Sequence, residues 1–506
     1  MEIKYPSTIL NQSKGTTDTE KYLSRLCQNS FLSMWSFPNI YRDQGNSSNK
    51  GDGKEVCDLL VIFDNHVIIF SDKACSFPSS ENIEVDWSRW YRKAVKKSAD
   101  QIWGAERWLF SHPDRIFLDK QCQKKFPLLL PDKSKAKIHR IVTAHAVSKK
   151  CISELGGSGS LMIVPSIVGD MHFSDKSRSC LPFTIGQVDP QKGYVHVFDD
   201  TTLEIVMKTL DTVSDFVSYL GKKEAFITSG KLLSASGEDD LLAYYLKHVD
   251  YEGQHVFHID SDADAIIIRE GIWNNFVNSP ERKAQIEADE ISYSWDKLIE
   301  LFLTHIFNGT SYYLSHIDIS EQEKGLRLLA RENRTRRRML SLALHEILEK
   351  TPAHMRVTRT LLPSHLGDPY YLFLLLPRRE HIDEKNYRDV RGSLLQQYCM
   401  ITKLNFPEAL DIVGIATESG IDSRYRSEDF LYYNARGWTK EEKTQAQKYE
   451  TKLKELGMIG ERTMTKKIIK EYPVSVIDKN KLKGSARNKP CPCGSGKKNK
   501  KCCGLV

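Results

Sequence analysis

The stretch CDLLVIFDNHVIIFSDK, residues 57–73, decides the fold of the first part of this chain. Two apolar runs rich in β-branched residues flank the pair Asp64-Asn65. Such a pair between two strand-forming runs predicts a β-hairpin with a two-residue turn. A turn of this length pairs Phe63 with His66 and fixes the register of the hairpin.

Two orientations are predicted for the polar side chains at the open end of this hairpin. Counting outward from the turn places Asp58 opposite Ser71, and residues two apart along a strand share a face. Asp58, Ser71 and Lys73 therefore project to one side, and Asp72 projects to the other. An acid and a lysine on one face suit metal-dependent phosphodiester cleavage, because the carboxylate binds Mg²⁺ or Mn²⁺ and the lysine orients or activates water.

The elements around the hairpin define an order for residues 1–150. Apolar spacing predicts a helix over 18–30, a short strand at 37–41, a long helix over 90–110 and a strand at 138–145. Together with the hairpin, these elements give an N-terminal α/β domain with an α-β-β-β-α-β core.

This order resembles the core of the PD-(D/E)xK restriction-endonuclease-like superfamily, particularly its nuclease-related and Mrr-like branches. The resemblance implies that Glu20 is the acid of the first helix and Asp58 the acid of the second strand. It also implies that Lys73 is the motif lysine and that Gln101 is the glutamine of the following helix. The activity it implies is cleavage of nucleic acid with Mg²⁺ or Mn²⁺.

The sequence departs from that family at one position. The second acid of the motif stands two residues before the lysine, and here that position is Ser71, a poor ligand for a hard cation. Either Asp72 turns inward through a β-bulge or a different register, or an acid from elsewhere substitutes for the missing one, with Glu55 and Glu84 as candidates. The third alternative is a retained fold without catalysis, used for binding or as a scaffold.

The C-terminal stretch CPCGSGKKNKKCCG, residues 491–504, carries the strongest chemical signal. Four thiolates within thirteen residues suit one tetrahedral Zn²⁺, which would supply the folding energy of so short a segment. The predicted ligands are Cys491, Cys493, Cys502 and Cys503. The stretch resembles the SEC-C motif first recognised at the C-terminus of the SecA preprotein translocase, and this resemblance implies zinc and an interaction surface. No Walker A pattern occurs, so a SecA-like motor is excluded.

Length and composition bound the remaining organisation. A chain of 506 residues with 40% hydrophobic and 27% charged residues predicts two to four globular domains. The N-terminus lacks a signal-peptide pattern and no apolar run approaches a membrane span, so we expect a cytoplasmic protein with no membrane partner. The predicted divisions are 1–150, the nuclease-like core; 151–275, an α/β extension; 280–440, a mainly helical α+β domain; 441–484, a charged linker; and 485–506, the zinc-binding tail.

An arginine-rich helix lies in the third of these divisions. Six arginines occur within residues 327–338, four of them in the run RTRRR at 334–338. They could line a phosphate-binding groove for nucleic acid, and the alternative is a solvated face or internal salt bridges. The proposed nucleic-acid-binding residues are Arg334, Arg336, Arg337 and Arg338.

Two acidic stretches are weaker metal candidates. The acids at 238–240 stand at a helix start, where they are typical of solvated caps. In HVFHIDSDAD, residues 255–264, histidine and aspartate alternate, which favours a strand edge leading into a loop over a metal site.

The leading hypothesis from sequence is a metal-dependent protein of restriction or defence type that cleaves or binds nucleic acid and carries a zinc-binding tail. The second is a non-catalytic interaction protein whose zinc tail recruits a protein or ribosomal partner. A third, a translocation-associated chaperone, rests on the tail alone. The sequence leaves open whether the protein is an enzyme.

Overall fold

The computed structural model describes most of the chain. The described residues are 15–44, 53–174, 179–307, 319–378, 381–420, 426–460 and 463–473, with Asn488 and Lys498. The chain divides into two compact units: the first unit contains residues 12–290 and 470–506, and the second contains 1–11 and 291–469. Within the described residues, no helix combines the length and apolar character needed to cross a bilayer.

The first unit is a mixed α/β structure. Its strands are β1 (Ser36–Arg42), β2 (Lys54–Phe63), β3 (His66–Lys73), β4 (Lys137–Ala144), β5 (Met162–Val168), β6 (Thr184–Gln187), β7 (Val195–Asp199), β8 (Leu232–Ala235) and β9 (Ile266–Ile268). Its helices are α1 (Asp18–Trp35), α2 (Ile83–Tyr91), α3 (Lys97–Ser111), α4 (Ser148–Leu155), α5 (Thr202–Thr209), α6 (Val213–Thr228), α7 (Glu238–Lys247), α8 (Ile272–Val277) and α9 (Pro280–Asp289).

The main sheet of this unit has the strand order β1-β2-β3-β4-β7. The first three strands are antiparallel, whereas β3, β4 and β7 run parallel. Phe63 pairs with His66, so the predicted hairpin register is confirmed. The elements through β4 follow the predicted α-β-β-β-α-β order, with α2 and α3 together in the place of the single helix. Strand β7 belongs to the predicted 151–275 extension, yet it pairs with β4 in this sheet.

Aromatic packing holds α1 against the sheet. The Trp35 ring meets Phe63 edge to face at 5.1 Å, and Phe31 lies 6.5 Å from Phe70. All four side chains are at most 3% exposed. Burying each contributes roughly 1.5–3 kcal/mol, which outweighs the modest helix propensity of the aromatic residues in α1. The N-terminal end of α1 is thereby fixed next to the open end of the hairpin.

A second sheet in the first unit has the strand order β6-β5-β8-β9. The acids at 238–240, in the helix that follows β8, were predicted to be solvated, and this prediction is wrong. Glu238, Asp239 and Asp240 are only 2–3% exposed. Glu238 forms an ion pair with the buried Lys223, and Asp240 accepts a hydrogen bond of 2.8 Å from the backbone N–H of Trp273. These acids connect elements of the unit, because buried carboxylates persist only where they are paired or hydrogen-bonded.

The second unit combines helices with one four-stranded sheet. Its elements are α10 (Tyr293–Phe307), α11 (Ile319–Arg331), α12 (Arg334–Lys350), β10 (Val357–Leu361), β11 (Tyr370–Leu376), α13 (Glu384–Asn405), β12 (Asp411–Glu418), β13 (Glu428–Asn434) and α14 (Lys440–Glu455). The strand order is β10-β11-β12-β13, and only β11 and β12 run parallel, joined by α13. The predicted buried strand in DPYYLFLLLPR is β11, in which every residue is buried. The mixed α/β class predicted from the sequence is confirmed.

The arginines of α12 lie mainly inside the second unit. Arg337 is 0% exposed, Arg338 2% and Arg334 8%. Arg337 donates to Asp296 Oδ1 at 2.7 Å, and Arg334 donates to the other oxygen of the same carboxylate at 2.9 Å. Arg336 donates to the carbonyl oxygen of Leu362 at 3.2 Å. For Arg334 and Arg337 this is the arrangement of internal ion pairs that the sequence left as an alternative, and their buried guanidinium groups are not available to a phosphate backbone. Nucleic-acid binding by Arg336 and Arg338 stays a prediction.

Candidate functional site

Four of the predicted catalytic residues lie at the open end of the hairpin, where β2 begins and β3 ends: Glu20, Asp58, Asp72 and Lys73. Asp58 is only 8% exposed, and its Oδ2 accepts a hydrogen bond of 2.6 Å from the backbone N–H of Asp72. The observed pairing ends at Leu59–Phe70, and one further step along it places Asp58 opposite Ser71, on the same face as Lys73. Within the described part of the chain, the Lys73 side chain has no hydrogen bond or ion pair.

Ser71 cannot stand in for the missing acid. Its side chain is 0% exposed, and its Oγ has no hydrogen-bond partner among the described residues. No bulge turns Asp72 inward within the observed pairs of β2 with β3, which end at Leu59–Phe70. The Asp72 carboxylate instead accepts a hydrogen bond from the Thr143 hydroxyl and lies 2.7 Å from His145 Nε2. The assignment of Asp72 as the second acid stays a prediction.

A glutamate does approach Asp58 from β2 itself. Asn39 Nδ2 donates to Glu55 Oε1 at 2.8 Å and to Glu20 Oε2 at 3.2 Å, so one amide holds two carboxylates together. Glu20 has a structural role too, since its carboxylate accepts from the backbone N–H of the N-cap Thr17 at 3.3 Å in the capping box of α1. Glu84, the other candidate, lies in the first turn of α2.

The pKa values show that these acids act on one another. Burial raises the pKa of Asp58 to about 7, and the charges of Glu55, Glu20 and Asp72 add to this effect, while the hydrogen bond from Asp72 opposes it. Burial also raises the pKa of Glu55, whose carboxylate feels the opposing positive charge of Lys73. Glu20, Glu55 and Asp58 therefore form an acidic cluster with Lys73 beside it.

The cluster has no preformed coordination shell. Over the residues that the structure describes, no group of three or more His, Cys, Asp or Glu side chains is arranged to hold a metal ion. Carboxylate oxygens are nevertheless the ligand type that Mg²⁺ and Mn²⁺ prefer, and an acid with a raised pKa gains most from a cation that replaces its proton. The residues that could hold such a cation are Asp58, Glu20 and Glu55.

The predicted glutamine, Gln101, is half-buried in α3, which packs on β2 and β3. No hydrogen bond links its side chain to the acidic cluster within the described residues. Its assignment as a supporting residue stays a prediction.

Sequence analysis missed a histidine at the carboxyl edge, which we define as the carboxyl ends of the parallel strands β3, β4 and β7. His145 directly follows β4, and its ring bridges Asp72 at 2.7 Å and Asp200 at 3.0 Å. Burial acts to lower the pKa of His145, but the hydrogen bonds and charges of Asp200 and Asp72 outweigh it and raise the pKa to about 9. The sequence signal that could have identified His145 was its position directly after a predicted strand, because the ends of neighbouring parallel strands meet at one edge of a sheet.

Comparison with known proteins identifies the tail. The family model described as SEC-C motif matches residues 487–505. This motif is generally zinc-binding, so the chain carries a zinc-binding type of tail. Neither the curated proteins nor the solved structures give a match to this chain. The similarity of residues 1–150 to the PD-(D/E)xK superfamily stays a prediction, since the family match lies in the tail alone.

The four predicted zinc ligands lie outside the described residues. As a donor set, four thiolates fit a structural Zn²⁺, which takes four sulfur or nitrogen ligands in a tetrahedron. The ligands predicted from the sequence are Cys491, Cys493, Cys502 and Cys503.

Proposed function

We propose that this protein cleaves nucleic acid with a divalent cation bound at the acidic cluster of the first unit. The observation that carries the proposal is the convergence of Glu20, Glu55 and Asp58 beside Lys73, on the α-β-β-β-α-β framework. The substrate class follows from the resemblance to the PD-(D/E)xK superfamily. We also propose a restriction or defence context and a cytoplasmic location.

The side chains have separable roles in this proposal. When bound, the cation would polarise a phosphodiester oxygen and lower the pKa of water. Asp58, Glu55 and Glu20 would hold it, and Asn39 keeps the two glutamates together. Lys73 would orient the attacking water or balance negative charge, because its ammonium lies beside the cluster without a hydrogen bond of its own within the described residues. Ser71 is a buried spacer rather than a ligand.

The experiment that tests the proposal incubates the purified protein with Mg²⁺ or Mn²⁺ and, separately, plasmid DNA, linear DNA and RNA. Asp58→Asn removes the proposed carboxylate ligand of the metal, and Lys73→Met removes the lysine ammonium, each with little change of side-chain volume. Asp64→Asn is the matched control, because it makes the same change in the hairpin turn, where Asp64 has a φ of 52° that asparagine adopts readily.

Cleavage by the wild-type protein and the control, and not by the two site variants, would support the proposal. Equal cleavage by all four proteins would assign the activity to a contaminant or to another site. The folded state of each variant is checked by its thermal unfolding.

A second candidate function is a non-catalytic scaffold that recruits a protein or ribosomal partner through the zinc tail. Two observations favour it: Ser71 occupies the position of the motif acid, and the described acids form no ready coordination shell. It predicts that no substrate is cut under any condition above. It also predicts that the protein co-sediments with ribosomes or a protein partner, and that Cys491→Ser with Cys493→Ser abolishes this association.

A further inference from the structure

The chain is re-anchored on the first unit just before the zinc-binding tail begins. Residues 463–470 form a mostly exposed coil, in which Met464 is 79% and Ile468 78% exposed. At Glu471 the exposure falls, and residues 471–473 are partly buried against the first unit. An exposed coil that ends in a covered segment indicates a local docking contact.

Glu471 provides the polar half of this contact. Its Oε1 lies 3.0 Å from Nε2 of His255 and accepts a hydrogen bond of 3.0 Å from Nε2 of Gln285. The His255 side chain is 14% exposed and Gln285 is 6% exposed, so both partners are largely removed from water. Charge-assisted hydrogen bonds of this kind are stronger than neutral ones, and more so where water is excluded.

Tyr472 provides the apolar half. Its ring lies 6.3 Å from Phe276 and 6.5 Å from His255, in both cases edge to face. Its hydroxyl donates a hydrogen bond of 3.2 Å to the carbonyl oxygen of Leu246. The partners of the two residues come from α7, α8, α9 and the loop that contains His255, so the surface is built from four segments of the first unit.

We propose that Glu471 and Tyr472 form a docking anchor, which holds the segment just before the SEC-C tail on the first unit. The surface that they contact is formed by Leu246, His255, Phe276 and Gln285. The anchor is followed by only fourteen residues, 473–486, before the matched motif begins at Arg487. Such a segment spans at most about 45–50 Å. A partner bound by the tail is therefore delivered to the unit that contains the acidic cluster. The anchor does not depend on the proposed nuclease function.

Limited trypsin digestion of the full-length protein tests the anchor. The exposed coil offers cleavage after Lys466 and Lys467, ahead of the anchor, and after Lys470, directly beside Glu471. A protease needs several extended residues on both sides of the bond, so cleavage after Lys470 requires Glu471 and Tyr472 to detach. Mass spectrometry of early time points gives the rate of cleavage after Lys470 relative to that after Lys466.

The test variants change the surface and leave the cleaved segment unaltered. In the His255→Ala, Gln285→Ala double variant, we expect the relative rate after Lys470 to rise about tenfold, while the rate after Lys466 stays the same. His258→Ala is the matched control, because His258 lies in the same loop but pairs with Asp260, and it leaves the ratio unchanged. An unchanged ratio in the double variant would overturn the proposal.

Two further measurements keep the outcome decisive. If the double variant does not fold, Tyr472→Phe is used, because it removes only the hydroxyl that donates a hydrogen bond to the Leu246 carbonyl oxygen. We expect the rate of cleavage after Lys470, relative to that after Lys466, to rise two- to threefold in this variant. No rise in this variant would count against the anchor. Chelation of zinc in the wild-type protein leaves the ratio unchanged if the anchor acts by itself. A rise on chelation as large as in the double variant would assign the contact to the zinc-bound tail and overturn the proposal.

Discussion

The backbone N–H of Asp72 donates a hydrogen bond of 2.6 Å to the Asp58 carboxylate, across the open end of the hairpin. This bond favours the ionised form of Asp58, but burial and the nearby acids favour the protonated form more strongly and raise its pKa to about 7. Near neutral pH the carboxylate is therefore divided between its two forms. A residue with this balance is typical of sites where a cation or a proton is exchanged.

Asp58→Asn should stabilise the protein at pH 8. An acid whose folded pKa lies above its unfolded value destabilises the fold as pH rises from about 4 through 7, because ionisation is easier in the unfolded chain. Asparagine does not ionise, so we expect the free energy of unfolding at pH 8 to exceed that of the wild-type protein by roughly 1–3 kcal/mol.

Urea denaturation at pH 4.5 and pH 8 measures this difference. The gain at pH 8 should largely vanish at pH 4.5, where the wild-type carboxyl is protonated in the folded state. A variant less stable than the wild type at pH 8 would show that the ionised carboxylate is satisfied by contacts other than those described.

His145→Gln should alter the alkaline side of the stability profile. The pKa of His145 is raised from its ordinary value near 6.5 to about 9 by Asp72 and Asp200, against the effect of burial. A raised folded pKa contributes stability below pH 6.5, and this contribution is lost as pH rises through 9. We expect the variant to lose roughly 2–3 kcal/mol at pH 6, where the bridge is charged, and much less at pH 10.

Thermal or urea unfolding of both proteins at several pH values between 6 and 10 gives this profile. Parallel curves for wild type and variant would mean that the imidazole bridges the two aspartates without carrying charge. His112→Gln is a suitable control, because His112 directly follows α3 and is partly exposed.

The hairpin was predictable because its information is local. The pair Asp64-Asn65 sets the turn length, the turn length sets the register, and the register sets which polar residues share a face. The bridge through His145 was not predictable in this way, since Asp72, His145 and Asp200 come from the ends of three strands. Their proximity follows from the parallel pairing of β3, β4 and β7, which a single sequence does not specify.

Arg337→Met tests the internal role of the arginines in α12. Arg337 is fully buried and shares the Asp296 carboxylate with Arg334, so its removal leaves that carboxylate short of one partner. We expect the second unit to lose roughly 3–5 kcal/mol of unfolding free energy. Arg436→Met, at an arginine whose side chain is 56% exposed, should cost less, roughly 1–2 kcal/mol, because water reaches this arginine and the Tyr432 hydroxyl still donates to its partner Asp411.

Differential scanning calorimetry of the three proteins separates these cases. If Arg337→Met retains wild-type stability and instead weakens binding of nucleic acid at low salt, the arginine contacts a ligand after all. The contrast between a buried and an exposed arginine explains why the run RTRRR was ambiguous. Charge counts do not reveal which face of a helix is turned inward.

Lys223 and Glu238 provide a further test of buried charge. The two side chains form an ion pair at 2% and 3% exposure, and Glu238 also accepts a hydrogen bond of 2.7 Å from the Tyr219 hydroxyl. Lys223→Met leaves Glu238 buried without its partner and should cost roughly 3–5 kcal/mol. The double variant with Glu238→Gln should recover at least about half of this loss, because the unpaired charge is then removed.

A double-mutant cycle measured by urea denaturation gives the coupling between the two residues. Additive losses would show that each charge is satisfied independently. The burial of this pair also explains why the acids at 238–240 were mistaken for solvated caps. Acids at a helix start look alike in sequence whether water or a lysine from another helix faces them.

Zinc removal should affect the tail and leave the two units folded. The SEC-C match is confined to residues 487–505, and a segment this short depends on its metal for folding energy. We expect about one zinc ion per chain in the wild-type protein and none in the Cys491→Ser, Cys493→Ser variant. Cys122→Ser, at a partly exposed cysteine far from the tail in sequence, should keep its zinc.

Elemental analysis after gel filtration measures the metal content of the three proteins. Thermal unfolding should give the same midpoint for all three within about 2 °C, since a free energy change confined to the tail does not reach the packed cores. Zinc retained by the tail variant would place the metal elsewhere in the chain.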